Sequence, residues 1–285
     1  MPRLSVLLPV KNGAAHLPAA LASTVAALPA DAELVVVDDA SDDATPAILA
    51  RAAERDARVR VLRRAMSSGV AAALNHGLRD SDSELVGRMD ADDVCGRGRF
   101  RSQTALLGAA DFVFGSMLLM DPAGRLRGAA SPLPITPAAA RYHLLIGNFL
   151  SHPTMSCRRS ALETLGGYAD VVVEDYELWL RAAAAGLRLR KAVRPVLRYR
   201  VHPGQITRTW APAAADALLD ERYARLLPEE LRDVTSVLRH SAVTRRRDGD
   251  EASAAWRRLR EWIRRESHGL PGIDRLVLAE RLRTT

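Results

Sequence analysis

Cysteine is nearly missing from this sequence: Cys95 and Cys157 are the only two in 285 residues. They are too few and too far apart for a disulfide framework or a zinc site, which fits a reducing compartment and makes the cytoplasm the expected location. No apolar run approaches the ~18 residues of a membrane-spanning helix. The apolar opening at 4–10 is too short and too strand-like for a signal peptide, so any membrane contact is expected to be peripheral, at the inner face. Lysine is scarce as well, Lys11 and Lys191 being the only two, so the formal net charge of +7 comes from arginine. The excess lies at the end of the chain, with 12 arginines against 7 acids from Arg239 onward. A near-neutral body argues against nucleic acid as a partner, whereas a basic tail suits an acidic surface or another chain. Internal repeats and low-complexity linkers are also lacking.

What is present is a hydrophobic fraction of 48%, enough to bury the core of one large or two modest domains. The run at 4–10 reads as a strand, and Leu17, Leu21, Val25 and Leu28 mark one face of a helix after it. A second buried strand at 33–39 precedes a helix opened by Pro46, placed where its missing N–H costs nothing. A third strand at 59–62 leads through Ser68 and Gly69 to a helix with Val70, Leu74 and Leu78 on one side. A fourth strand at 84–89 ends in Asp90, Asp92 and Asp93. Strands alternating with helices predict a parallel sheet covered on both faces.

Ligands bind such sheets beyond the carboxyl ends of the strands. Three of those ends are polar here: Lys11, Asn12 and Gly13; Asp38, Asp39, Ser41, Asp42 and Asp43; and the cluster Asp90, Asp92 and Asp93. They are expected to converge on one crevice. Crowded carboxylates repel unless something positive neutralises them, and a hard divalent cation with oxygen ligands is the usual answer. The plainer reading is a set of helix-capping acids.

After a helix at 99–107 the alternation stops. A strand at 112–120 turns at Asp121 and Gly124 into a hairpin partner, and a proline-rich connection leads to a helix through Tyr142 and Leu145. A short strand at 154–157, a helix ended by Gly166 and Gly167, a helix starting at Glu174 and Asp175 and ended by Gly186, and a strand at 193–200 complete this part. Helices are predicted at 213–227, 228–240 and 252–265, with an exposed loop at 245–250. In the last helix Trp256, Leu259, Trp262 and Ile263 form an apolar stripe beside Arg257, Arg258, Arg260, Arg264 and Arg265. Such a stripe can lie on an anionic membrane or serve a partner chain, but packing on its own domain is what a surface helix ordinarily needs.

The segments 6–12, 37–41, 69–75, 90–93, 166–168, 174–175 and 199–202 occur in the order found in family-two inverting glycosyltransferases, and the chain resembles that family over residues 1–205. The resemblance implies an α/β GT-A (Rossmann-like) fold, with a mostly parallel sheet flanked by helices and a helical extension at 211–285. The body at 1–210 would divide into a nucleotide-sugar half, 1–107, and an acceptor half, 108–210. It also implies transfer of a sugar from a nucleoside-diphosphate sugar to a hydroxyl, with inversion, on a saccharide or lipid-linked acceptor.

The resemblance places Pro9, Asn12, Asp39, Gly69, Asn75, Asp90 and Asp93 at the donor, with Asp39 at the nucleotide base. Asp90 and Asp92 match the DxD element that holds Mg2+ or Mn2+ on the donor's diphosphate; Asp92 is the expected ligand, with His202 as a possible third ligand or phosphate contact. Asp175 is the expected general base, since an acceptor hydroxyl must lose its proton as it attacks. Glu174, His152 and Trp179 are the expected acceptor-side residues. Ser67 and Ser68 stand where the family commonly has Asn. Arg63 and Arg64 are within reach of phosphates or are simply surface charge.

Three rivals differ in what they require. A sugar nucleotidyltransferase of the same fold would carry a Gly- and Arg-rich loop with a Lys after the first strand, which Lys11, Asn12 and Gly13 do not extend into. A phospho-accepting receiver domain would end near ~120 residues and would not need Asp90 to Asp93 or Asp175. A non-catalytic nucleotide-sugar binder acting as a scaffold would not need the base.

Overall fold

The computed structural model describes residues 1–130, 132–202, 217–244 and 249–284. Short apolar runs broken by polar turns build four parallel strands, β1 (Leu4–Val10), β2 (Ala32–Asp38), β3 (Val59–Arg63) and β4 (Leu85–Arg88), ordered β3-β2-β1-β4. Their side chains alternate between two apolar clusters. Val6, Leu8, Leu34 and Val36 join Leu17 and Leu21 of α1 (Leu17–Ala27) and Leu49 of α2 (Thr45–Arg55) on one face. Leu7, Val35 and Val37 face Leu74 and Leu78 of α3 (Gly69–Asp80) on the other. Burial on both faces explains why β1 and β2 read as apolar runs, whereas β3 at the edge is largely exposed.

Beyond β4 the sheet changes direction. It continues through β8 (Ser156–Arg158), β6 (Phe112–Met120), β9 (Leu189–Arg200) and β5 (Val94–Cys95), with β7 (Leu126–Ala130) paired to β6. Strand β5, two residues long, is absent from the sequence reading because it is too short to carry a period. It pairs antiparallel with β9, Val94 opposite Arg198, and so pins the acidic turn between β4 and β5 across the sheet. The helices of this part are α4 (Arg99–Leu106), α5 (Ala140–Ile146), α6 (Arg159–Thr164) and α7 (Glu174–Ala184). The expected α/β architecture is therefore observed.

The C-terminal extension comprises α8 (Ala217–Ala224), α9 (Thr235–Thr244), α10 (Asp250–Glu266) and α11 (Gly272–Thr284). Residues 213–216 of the expected first helix and 245–248 of the expected loop lie outside the described residues. Helix α11 is missing from the sequence reading, although its Val277, Leu278 and Leu282 are buried. The stripe Trp256, Leu259, Trp262 and Ile263 is buried in the same apolar cluster as Tyr142, Tyr176 and Trp179, and the Tyr142 and Trp262 rings lie 5.7 Å apart. That stripe thus serves the protein's own core. Among the described residues no helix is long and apolar enough to cross a membrane.

Trp179 corrects an expectation. It is fully buried, with its ring edge-on to Phe112 at 5.6 Å and Phe114 at 4.7 Å, because α7 turns Leu178, Trp179 and Ala182 inward. It offers no surface to an acceptor. Trp179→Ala is expected to cost about 3–5 kcal/mol, the range for deleting a large buried aromatic. Urea denaturation checks this, and a loss under about 1 kcal/mol would contradict the packing described.

Candidate active site

The loops after β1, β2 and β3 are stitched together by their own polar side chains. Asn12 adopts a left-handed φ of 52°, which asparagine tolerates better than most residues. Its N–H donates to Ser41 Oγ at 2.9 Å, and its Oδ1 accepts from Asp42 N at 3.0 Å. Asp43 accepts from Ala14 N and Thr45 N. Pro9, near the end of β1, sits opposite Val37.

Asp39 is buried at this strand end and already surrounded by donors. Ser67 Oγ lies 2.8 Å and Gly69 N 3.0 Å from Oδ2, while Ser68 N lies 3.1 Å and Arg64 Nε 2.9 Å from Oδ1. Lys11 Nζ donates to Ser67 Oγ at 3.0 Å, tying in the β1 loop. Arg64 therefore holds Asp39, while Arg63 is largely exposed and 3.7 Å from Asp38. Gly69 has φ +83°, and open space lies where a Cβ would stand. Asn75 is used differently from the expectation: its Nδ2 donates to Tyr168 O at 2.8 Å and its Oδ1 accepts from Tyr168 N at 2.9 Å. This pins the turn after α6, where a Cβ on Gly167 would meet Asn75 Oδ1 at 2.5 Å.

The acidic turn follows β4. Asp93 is fully buried; its Oδ1 accepts from Arg200 N at 2.8 Å, and its Oδ2 has no hydrogen-bond partner. Burial, then Asp90 and Asp92, push its carboxyl well above the usual range. Arg200 Nε donates to Asp92 O at 2.9 Å. His202 Nε2 lies 2.9 Å from Asp92 Oδ2, so in this structure the imidazole orients Asp92 through that oxygen. His16, at the start of α1, stands 5.4 Å from the His202 ring, centre to centre. Burial, then Arg200 and His202, lower its pKa.

Oxygen ligand atoms of Asp90, Asp92 and Asp93 all lie within 4.8 Å of one another. An all-carboxylate donor set with one buried, unpartnered oxygen is chemistry that a hard divalent cation satisfies. The residues present fit such an ion.

Arg88 supplies the positive charge that the protein itself brings. It is buried, and its Nη1 lies 2.5 Å from Asp90 Oδ1. Interaction with Asp90, Glu174 and Tyr168 raises its pKa against the opposing effect of burial. Arg99, also buried, donates to Arg88 O at 2.7 Å and to Met155 O at 3.2 Å, fixing the end of β4 against the residue before β8.

Across from the acidic turn, Asp175 is the second residue of α7. Burial, then the neighbouring Glu174, raise its pKa; His152, the Asn148 amide and the Tyr176 N–H act in the opposite direction. Tyr176 N lies 2.6 Å from Oδ1, and Asn148 Nδ2 lies 3.0 Å from Oδ2. Glu174 is likewise pushed up by burial. His152 is buried, with Nε2 at 3.1 Å from Tyr168 Oη and Nδ1 at 3.3 Å from Glu174 Oε1. Burial lowers its pKa to about 3, leaving it neutral. As with Trp179, its expected direct contact with an acceptor is replaced by a place in the wall behind Glu174.

Sequence reasoning missed Ser67, Arg88, Asn148, Arg200 and His16. A lone arginine beside the acidic cluster was the one signal available, for Arg88. The other contacts join residues far apart in sequence, Asp93 and Arg200 being 107 positions apart.

The glycosyl transferase family 2 model matches residues 5–166. EpsE of Bacillus subtilis (strain 168) is 32% identical over 195 residues, covering 66% of this chain and 69% of EpsE. The succinoglycan biosynthesis protein ExoU of Rhizobium meliloti (strain 1021) is 33% identical over 203 residues, covering 65% of this chain but 58% of ExoU. Among solved structures, S. aureus TarS 1-349 in complex with UDP-GlcNAc aligns with a TM-score of 0.65 and 19% identity, over 94% of this chain and 73% of that one. Mannosyltransferase PcManGT from Pyrobaculum calidifontis, in complex with GDP-Man and Mn2+, aligns with a TM-score of 0.59 and 20% identity, over 99% and 82%. These likenesses establish the GT-A fold. With more than half of its length matched by the family model and EpsE similar over most of its own, the chain belongs to glycosyl transferase family 2.

Proposed function

We propose that this glycosyltransferase moves a sugar from a nucleoside-diphosphate sugar to a hydroxyl of a saccharide or lipid-linked acceptor, with inversion. The observation that carries the reading is the position of Arg88. Its buried guanidinium lies 2.5 Å from Asp90 of the acidic turn, and its charge also acts on Glu174 beside Asp175, so one buried cation serves the candidate carboxylates of both sides. The nucleotide end of the donor would lie along the loops after β1, β2 and β3, over Gly69 and Asp39. Because three hydrogen-bond donors and the Arg64 guanidinium already hold Asp39, a base recognised there would share that carboxylate with them or displace the Ser67 hydroxyl.

Asp92 and Asp93 are the assigned ligands for a divalent cation, with Asp90 engaged by Arg88 and His202 orienting Asp92. When bound, such an ion supplies positive charge opposite the departing diphosphate. Asp175 takes the proton of the acceptor hydroxyl as that oxygen bonds to the anomeric carbon. The bond from that carbon to the phosphate oxygen breaks, and the nucleoside diphosphate leaves with the electron pair. One displacement inverts the configuration. A base whose pKa is raised by its surroundings accepts the proton more readily near neutrality. The named partners of the relatives support this reading: UDP-GlcNAc with TarS, GDP-Man and Mn2+ with PcManGT, and a role in succinoglycan biosynthesis for ExoU.

Two experiments test it. In a thermal-shift screen of UDP, GDP and their sugar conjugates, a ligand at a hundredfold its Kd adds about 2.7 kcal/mol of apparent stability. The gain is expected to depend on Mn2+ or Mg2+ and to lose that dependence in Asp92→Ala; no gain with any nucleotide would refute the donor assignment. Asp175→Asn is expected to lower transfer by about a hundredfold or more with nucleotide binding intact. In the unchanged protein, activity falls as pH drops through the raised pKa of Asp175, so the acid limb of kcat/KM lies above the ordinary aspartate range. An Asp175→Asn protein with full transfer activity would overturn the base assignment.

A further inference from the structure

We propose that Asn148 is a positioning residue for the transfer reaction, holding the Asp175 carboxylate in one orientation toward the acceptor hydroxyl. The inference rests on the glycosyl-transfer reading above and names the residue that makes its base directional.

Asp175 stands in the first turn of α7, where a side chain turns freely unless donors fix its plane. Two donors fix it here, one on each oxygen: Tyr176 N at 2.6 Å on Oδ1 and Asn148 Nδ2 at 3.0 Å on Oδ2. The first comes with the backbone at any helix start. The second comes from a loop 27 residues away in sequence. The sense of the Asn148 amide is set by its other end, since Oδ1 accepts from Leu150 N at 3.2 Å. A flipped amide would set NH2 against the Leu150 N–H and a carbonyl against the carboxylate, so only one orientation satisfies both contacts.

The loop that carries Asn148 is itself held from several sides. The Tyr176 hydroxyl donates to Leu144 O, and the Tyr223 hydroxyl of α8 donates to Leu145 O at 2.6 Å. The Arg281 guanidinium of α11 lies 4.0 Å over the Phe149 ring. A Cβ at Gly147 would stand 3.3 Å from Ala242 O of α9. Three C-terminal helices therefore grip the residues around Asn148, which gives the extension a task at the acceptor side. Such support of a reacting group by packed neighbours is what keeps its geometry within the tolerance that catalysis requires.

Charge adds to geometry. The groups around Asp175 are Glu174 on its own helix, His152 from the turn before β8, and the hydroxyls of Tyr168 and Tyr176. Burial and Glu174 favour the neutral acid, while the Asn148 amide and the Tyr176 N–H favour the carboxylate. Removing the Asn148 donor raises the Asp175 pKa further, and the base is then protonated at pH values where it must act.

The test follows hydrolysis of UDP-GlcNAc, UDP-glucose and GDP-mannose with Mn2+, water standing in for the acceptor, as a function of pH. The proteins compared are the unchanged chain, Asn148→Ala, Asn148→Asp and Asp175→Asn. Asn148→Asp keeps an acceptor for Leu150 N but, when ionised, sets a like charge against Asp175 in place of the amide donor, so it separates positioning from loop structure. Both Asn148 variants are expected to lose roughly tenfold in kcat near pH 7 with donor KM within about twofold, because one oriented, charge-assisted hydrogen bond is gone. Their acid limb is expected to move up by about one pH unit, so the deficit shrinks in alkali. The proposal is overturned if the variants keep the unchanged profile, if the loss is equal at every pH, or if Asn148→Asp alone restores full activity. An active Asp175→Asn protein would instead sink the base assignment. An inactive Asp175→Asn protein beside unaffected Asn148 variants would refute only the role of Asn148.

Discussion

The ion pair between Arg88 and Asp90 is the contact on which the crevice depends. Asp90, Asp92, Asp93, Glu174 and Asp175 are brought near one another in a partly dry site, and isolated buried carboxylates are costly. A buried guanidinium is a fitting neighbour for them: it remains charged under all ordinary conditions and can face acids on more than one side. Arg99 completes the arrangement by taking the carbonyl oxygen of Arg88, so the cation is fixed to the end of β4. The charge of Arg88 also acts on Glu174, more than eighty residues further along the chain.

The two sides of the crevice are built on different principles. At the ends of β1, β2 and β3, parallel strands end side by side, and their loops bond to one another through Asn12, Ser41, Asp43, Ser67 and Asp39. Little has to be ordered if a ligand arrives there, which favours affinity because ordering costs are already met. Around Asp175, α7 and the loop after α5 supply the groups, and the C-terminal helices brace that loop. The apolar stripe of α10 and the aromatic contacts around Trp179 thus bear on the site at one remove, by holding Tyr142, Leu144 and Leu145 where the loop begins.

Asp93 and Asp175 illustrate how burial acts in opposite functional directions. For Asp93, burial leaves an oxygen with no protein partner, a feature suited to a cation. For Asp175, burial weakens the charged form, a feature suited to a proton acceptor that works near neutrality. Burial raises both, while Asp93 keeps the Arg200 N–H on one oxygen only and Asp175 has a donor on each, the Tyr176 N–H and the Asn148 amide.

The sequence by itself determined the strand and helix order of the first hundred residues, the convergence of Asp39 and the acidic turn at strand ends, and the helix that begins at Glu174 and Asp175. These features are local: an apolar run, a proline at a first turn and a carboxylate at a helix start are all set within a few residues. Only the tertiary structure decided that Asn75 pins a turn, that Trp179 and His152 belong to the wall, and that β5 and α11 exist. It also decided that Arg64, Arg88, Arg200 and Asn148 hold the site's carboxylates. Those assignments depend on which surfaces meet across the sheet and on how each buried polar group finds a partner. Pairings of that kind join distant parts of the chain and leave no period in the sequence.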